Sequence, residues 1–226
     1  MKRIILLGTS HIAEESVAAI ERAIAKYEPC IVAVELDTAR LDALVHRRRR
    51  VSFLSLVPRV GITGAVFAVI GGDVQKKLGA KVGVLPGADM LAAVRTAQKH
   101  KLPVFLIDQP IEVTLRRFSA AFTFREKMRL LADVFMAIFF PERQMKQYGV
   151  FVLDLSTVPS QKLIARLIRE IKKRYPSLYR VLIHERNEYM VYQLVRLAHQ
   201  HPDKKILAVV GAGHEEGMQR MLGRVK

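Results

Sequence analysis

Tryptophan is absent from this chain, and cysteine occurs once, at Cys30. A lone cysteine excludes an intrachain disulfide framework and every multi-cysteine metal site, and it suits a reducing compartment. Standing at the amino end of an expected strand, Cys30 reads as a core thiol. Aromatic residues make up only 7% of the chain. With no RRM, KH or helix-turn-helix signature either, this argues against direct reading of nucleic acid. Long hydrophobic runs are missing too. The longest uncharged stretch, Val60 to Gly72, has 13 residues and four glycines. That is short of the roughly 20 residues needed to span a bilayer, so the stretch is expected to be buried or interfacial. Met1-Lys2-Arg3 leads into only four apolar residues, too few for a secretory signal. Finally, no Gly-x-Ser-x-Gly elbow, Walker A loop or His-Glu-x-x-His helix occurs. The usual serine hydrolases, P-loop nucleotidases and zincins are thereby excluded.

What is present suits one globular domain over residues 1–226, half of it apolar and 26% charged. Charge is the unusual feature: 37 basic residues stand against 21 acidic ones, a net of +16. It is also uneven. Residues 1–46 hold five bases and seven acids, so the remaining 180 residues carry +18. A surface of this kind attracts anionic lipid, nucleic acid or acidic peptide by its field alone.

Four apolar runs without polar alternation predict buried parallel strands: Ile4–Leu7, Ile31–Val34, Val104–Ile107 and Ile206–Val210. Helical patterns lie between them, at residues 12–27, 90–100, 160–174 and 187–200. This order predicts an α/β fold, with a mainly parallel central sheet flanked by helices. Residues 47–88 and 115–158 fit the sheet poorly. They are assigned to helical insertions that form a cap, to be covered by each other, by a partner chain or by a membrane surface.

In open α/β sheets, ligands bind beyond the carboxyl ends of the strands. The expected strands end in Gly8-Thr9-Ser10-His11, Glu35-Leu36-Asp37, Asp108-Gln109 and Gly211-Ala212-Gly213-His214. Val181–Ile183, counted with them, leads to His184-Glu185-Arg186. Every one delivers an ionisable side chain to the same edge. His11, Glu35 and His214 are therefore candidate ligands for a divalent metal with an open position for water. Glu185 or Asp108 would then be the general base, and Arg186 the stabiliser of a developing oxyanion. Simpler readings stand beside these. The histidines would satisfy backbone groups at strand ends, Glu35 would pair with Arg40 or Arg186, and Asp108 would close a turn with Gln109 and Pro110. Gly211-x-Gly213 lacks a dinucleotide fingerprint but can present N–H groups to an anion.

Gly8-Thr9-Ser10-His11, Val34-Glu35-Leu36-Asp37 with Arg40, Leu85-Pro86-Gly87-Ala88-Asp89, Leu106-Ile107-Asp108, Glu185-Arg186-Asn187-Glu188 and Val210-Gly211-Ala212-Gly213-His214 closely resemble the TraB family in order and spacing. That family is grouped with the TIKI proteins, and the resemblance runs through essentially the whole chain. It implies a metal-dependent peptidase with two Gly-x-x-His motifs, here at His11 and His214, an acid at Glu35 and an acid-arginine motif at Glu185 and Arg186. Manganese or cobalt would be favoured, with zinc a further candidate, and the substrates would be peptides such as pheromones. His184 stands where an aspartate is expected, and Asn187 where an acid is common. The superfamily also reaches erythromycin-esterase-like and haem-binding proteins, so a non-catalytic crevice for peptide, haem or another anionic ligand is the alternative. A homodimer and a cytoplasmic location are further expectations, with membrane association if the natural chain continues past residue 226.

Overall fold

A computed structural model of the chain describes residues 3–9, 13–46, 53–82, 87–139 and 161–225. Strand β1 (Ile4–Thr9) leads through α1 (Ala13–Tyr27) to β2 (Ile31–Val34) and α2 (Thr38–Val45). Next come α3 (Phe53–Val82), α4 (Ala88–Lys99) and β3 (Val104–Leu106). Helices α5 (Ile111–Ala121), α6 (Phe124–Phe139), α7 (Gln161–Arg174) and α8 (Pro176–Tyr179) follow. The chain closes with α9 (Glu185–Gln200), β4 (Ile206–Gly211) and α10 (Ala212–Leu222). All strand pairs are parallel, in the order β1-β4-β2-β3. The α/β class expected from the sequence is therefore the fold.

Uniformly apolar strands arise because both faces of the sheet are covered. Val32, Val34, Leu207 and Val209 face Ile20, Ala23 and Ile24 of α1 and Met90, Ala93 and Val94 of α4. The alternate residues Ile31, Ala33, Ile206, Ala208 and Val210 face Met190 and Leu194 of α9 and Met218 and Leu222 of α10. A one-residue slip would exchange these two sets, so packing fixes the register. β4 pairs on both sides, with Ile206 opposite Ile4 of β1 and Ile31 of β2.

The stretch Val60–Gly72 lies within α3, which kinks at Gly61, where φ is 75°. Val60 and Ala65 are buried against Leu115 of α5, whereas Ile62 is exposed. Arg47–Arg50 and residues 140–160 of the expected insertions lie outside the described residues.

Two expectations are corrected. Val181–Ile183 is helical: Arg180–His184 forms a π turn joining α8 to α9. Three apolar residues in a row have no period that distinguishes strand from helix. Cys30 is an exposed thiol rather than a core one, because burial in β2 begins one residue later, at Ile31.

Candidate functional site

Ladder geometry carries two carboxylates past the strand ends. Glu35 N–H still bonds Val209 O (3.1 Å), and Asp108 N–H bonds Leu36 O (3.2 Å), so both acids leave the sheet at its carboxyl edge. β4 ends at Gly211, and His214 follows in the first turn of α10. Arg186 comes from the first turn of α9, just after the π turn.

The guanidinium of Arg186 gathers these groups. Its Nε donates to Asp108 Oδ1 (3.2 Å), and its Nη2 donates to Asp108 Oδ2 and to Glu35 Oε1, each at 2.5 Å. Nη1 donates to Leu182 O (3.4 Å) and lies 3.0 Å from His214 Nε2. Glu35 Oε2 accepts the Gly211 N–H at 2.7 Å, so the anion seen by the Gly211 amide is the chain's own carboxylate. Asp37 caps α2 by accepting Arg40 N–H (2.9 Å), and Arg40 Nε returns to Asp37 Oδ2 (2.9 Å). Arg40 Nη2 then reaches Asp108 Oδ2 and the Glu35 carbonyl.

His214 Nδ1 lies 2.6 Å from Asn187 Oδ1. An amide oxygen only accepts, so Nδ1 carries the proton and Nε2 keeps its lone pair. That lone pair faces Arg186 Nη1 and, at 3.4 Å, Glu35 Oε1. The close contact depends on Gly217, where a Cβ would collide with Asn187 Nδ2.

Electrostatics follow from burial, with the Asp108 side chain only 1% exposed and that of His214 7%. Burial above all, and then Arg186, hold the His214 imidazole below the usual histidine range, against the pull of Glu35 and Asp108. It is therefore neutral near pH 7. Burial disfavours the charge on Glu35, yet His214, Arg186, the Gly211 N–H and Arg40 outweigh it and keep the carboxyl below its ordinary value. With the imidazole neutral, Arg186 and the amide carry that stabilisation. Burial likewise opposes the charge on Arg186, but Glu35 and Asp108 overcome it and raise its pKa, so the guanidinium stays charged.

Of the residues expected from the sequence, Glu35, Asp108, Arg186 and His214 converge. Glu185 does not join them: its carboxylate faces Arg117 Nη1 (3.3 Å) of α5 and Arg180 Nε (3.5 Å) of the π turn. His11 lies outside the described residues. Glu35 pairs with Arg186, and Asp108 Oδ1 also accepts the Gln109 N–H (2.8 Å), as the simpler sequence readings of these two acids expect, whereas His214 Nδ1 meets the Asn187 side chain and not a backbone group. Sequence reasoning missed Asn187 as a partner of His214. The available signal was its place directly after Arg186, with Gly217 one helical turn past His214.

Among the described residues, no three His, Cys, Asp or Glu side chains are grouped to hold a metal ion. Two of the expected donors, His214 Nε2 and Glu35 Oε1, do face each other. Their nitrogen and oxygen chemistry, with a carbonyl behind the imidazole, is compatible with a first-row divalent ion. At the exit of β1, Thr9 Oγ1 donates to Asp89 Oδ2 (2.8 Å), tying that strand end to the first turn of α4.

The TraB/PrgY/gumN family model matches residues 1–226. An uncharacterised protein of Methanocaldococcus jannaschii is 32% identical over 224 residues, which is 99% of this chain and 54% of that protein. TraB domain-containing proteins of Mus musculus and Homo sapiens are each 25% identical over 242 residues, covering 96% of this chain and 62% of their own length. The chain thus spans a little over half the length of the curated relatives it matches. Matched along its whole length by the family model, and more than 30% identical to a relative across nearly all of it, the chain belongs to the TraB/PrgY/gumN family.

Proposed function

We propose that the chain is a TraB-type hydrolase of peptides, with a divalent metal (manganese, cobalt or zinc) held by His214, Glu35 and His11. The observation that carries this reading is the fixed tautomer of His214, whose Nε2 lies 3.4 Å from the Glu35 carboxylate in a buried cluster. Metal-ligating imidazoles characteristically commit their second nitrogen to such a partner. The sign of the cluster agrees. Glu35, Asp37 and Asp108 outnumber Arg40 and Arg186, and with His214 neutral the described groups sum to −1. That balance favours a cation and opposes capture of haem or another anion at the same place.

When bound, the metal would supply a water acidified toward neutral pH and a Lewis acid for the scissile carbonyl. Asp108 accepts from both Arg186 and Arg40 and so fixes the guanidinium of Arg186. Arg186 Nη1 donates to Leu182 O and faces the His214 Nε2 lone pair, so the hydrogen it aims at Nε2 would be released to an oxyanion on the substrate once that lone pair is committed to a metal. Glu185 takes no part in this scheme, since its carboxylate is turned toward Arg117 and Arg180.

Chain purified without chelator and dialysed against Mn²⁺ is expected to retain metal and to cleave a random peptide library. His214→Ala and Glu35→Gln should lose both properties while still unfolding cooperatively. Metal content unchanged in both variants, or undiminished cleavage by His214→Ala, would overturn the proposal.

A further inference from the structure

Helix α6 is mounted in reverse. Phe124, Met128, Leu131, Phe135 and Phe139 recur at the spacing of a single helical stripe, which would ordinarily face a core. Here the stripe points outward: Phe124 is 77% exposed, Leu131 63%, Phe135 54% and Phe139 61%. The opposite side carries Glu126, Arg129 and Asp133, and it is this polar side that docks. Glu126 closes a capping box with Thr123 and accepts the Ser177 N–H at 2.8 Å. Arg129 donates to Arg174 O (2.6 Å), and Asp133 pairs with Arg174 and Tyr175. Five ionic and hydrogen-bonded anchors thus hold the helix with its apolar ridge in water.

We propose that α6 is an interfacial helix that lays this ridge on an anionic lipid surface. Cations flank the ridge on both sides: a helical projection puts Arg125 beyond one edge and Lys127 beyond the other, the arrangement in which basic side chains reach headgroups while Phe and Leu enter the acyl boundary. The net charge of +16 adds a long-range attraction to acidic headgroups. That same charge opposes a second copy on the ridge, because stacking two would bring Arg125 and Lys127 of two strongly basic chains together. At 16 residues, about 24 Å long, α6 matches the length of an in-plane helix. Among the described residues, no helix is long and apolar enough to cross a membrane, so the contact is one of lying on the surface. This inference does not depend on the hydrolase reading.

The test is flotation of the full chain with vesicles made of equal parts phosphatidylcholine and phosphatidylserine, compared with phosphatidylcholine alone. Native chain should float with the mixed vesicles and largely stay behind with the neutral ones. Leu131→Glu combined with Phe135→Glu, both at exposed positions, should lower the bound fraction roughly tenfold without changing the urea midpoint. A second measurement uses the absence of tryptophan: Phe135→Trp introduces a single reporter whose emission should shift to the blue when mixed vesicles are added. Flotation of the double variant equal to that of native chain would overturn the proposal, as would an unshifted tryptophan on bound protein. So would a native dimer in solution that the double variant dissolves, since the ridge would then belong to a second copy.

Discussion

At the scale of single residues, the pair His214 and Asn187 sets the chemistry of the cluster. Asn187 is buried, and its carbonyl can only receive a proton from Nδ1. Replacing it by aspartate keeps the shape and adds a negative charge against the imidazole. Asn187→Asp is therefore expected to raise the His214 pKa and to leave the ring protonated further toward neutral pH, while Asn187→Ala should free the tautomer. Nitrogen chemical shifts of the imidazole across a pH series would read both, and an unmoved titration in Asn187→Asp would refute the role given to Asn187. Glu35, Asp108 and His214 were legible in the sequence because each follows an apolar run that forms a buried strand, whereas Arg186 was picked out behind Val181–Ile183, a run that is a helical turn and not a strand. Asn187 was not, because its role depends on α9 and α10 crossing where Gly217 lets the amide approach. That is a tertiary fact, to which the place of Asn187 directly after Arg186, with Gly217 a turn past His214, was the sole sequence pointer.

At the scale of elements, the strands were readable and the faces of the helices were not. Four uniformly apolar runs gave the four strands almost to the residue, since burial on both sides erases alternation. Val181–Ile183 misled for the same reason, as a short apolar run serves a π turn equally well. An amphipathic stripe such as that of α6 fixes a helix but says nothing about which side turns inward. Here buried Glu126 decides, joining the helix start to Ser177 at the head of α8. Burial opposes its charge, but the Ser177 and Thr123 donors prevail and hold the carboxyl below its ordinary value. Glu126→Ala removes the reciprocal cap and leaves the Ser177 N–H without its acceptor. It should cost about 1–3 kcal/mol, read as a lowered urea midpoint with an unchanged slope. A midpoint equal to that of native chain would mean that α6 is held by something else.

At the scale of the whole molecule, these depressed groups add up to a pH dependence of one sign. His214 is held neutral by burial, so its share of stability is full above the unfolded value of about 6.5 and is lost as the pH falls below it. Glu35, Glu126 and Asp133 are depressed carboxyls, whose shares disappear only as the pH drops below about 4. In chelator, stability should therefore decline in two stages on acidification, and His214→Gln should abolish the upper stage alone. Urea midpoints between neutral and acid pH would show it, and a single-stage decline shared by both proteins would contradict the buried neutral imidazole.

The placing of β4 between β1 and β2 has a consequence for biosynthesis. The strand that joins the two is the last to be translated, so a nascent chain halted before Ile206 holds β1 and β2 with no shared neighbour. Gly211 and His214 emerge later still, so Glu35 waits for its amide and its imidazole until β4 and the first turn of α10 have been made. A product terminated before Ile206 would thus lack both the strand that bridges β1 and β2 and two of the groups that surround Glu35.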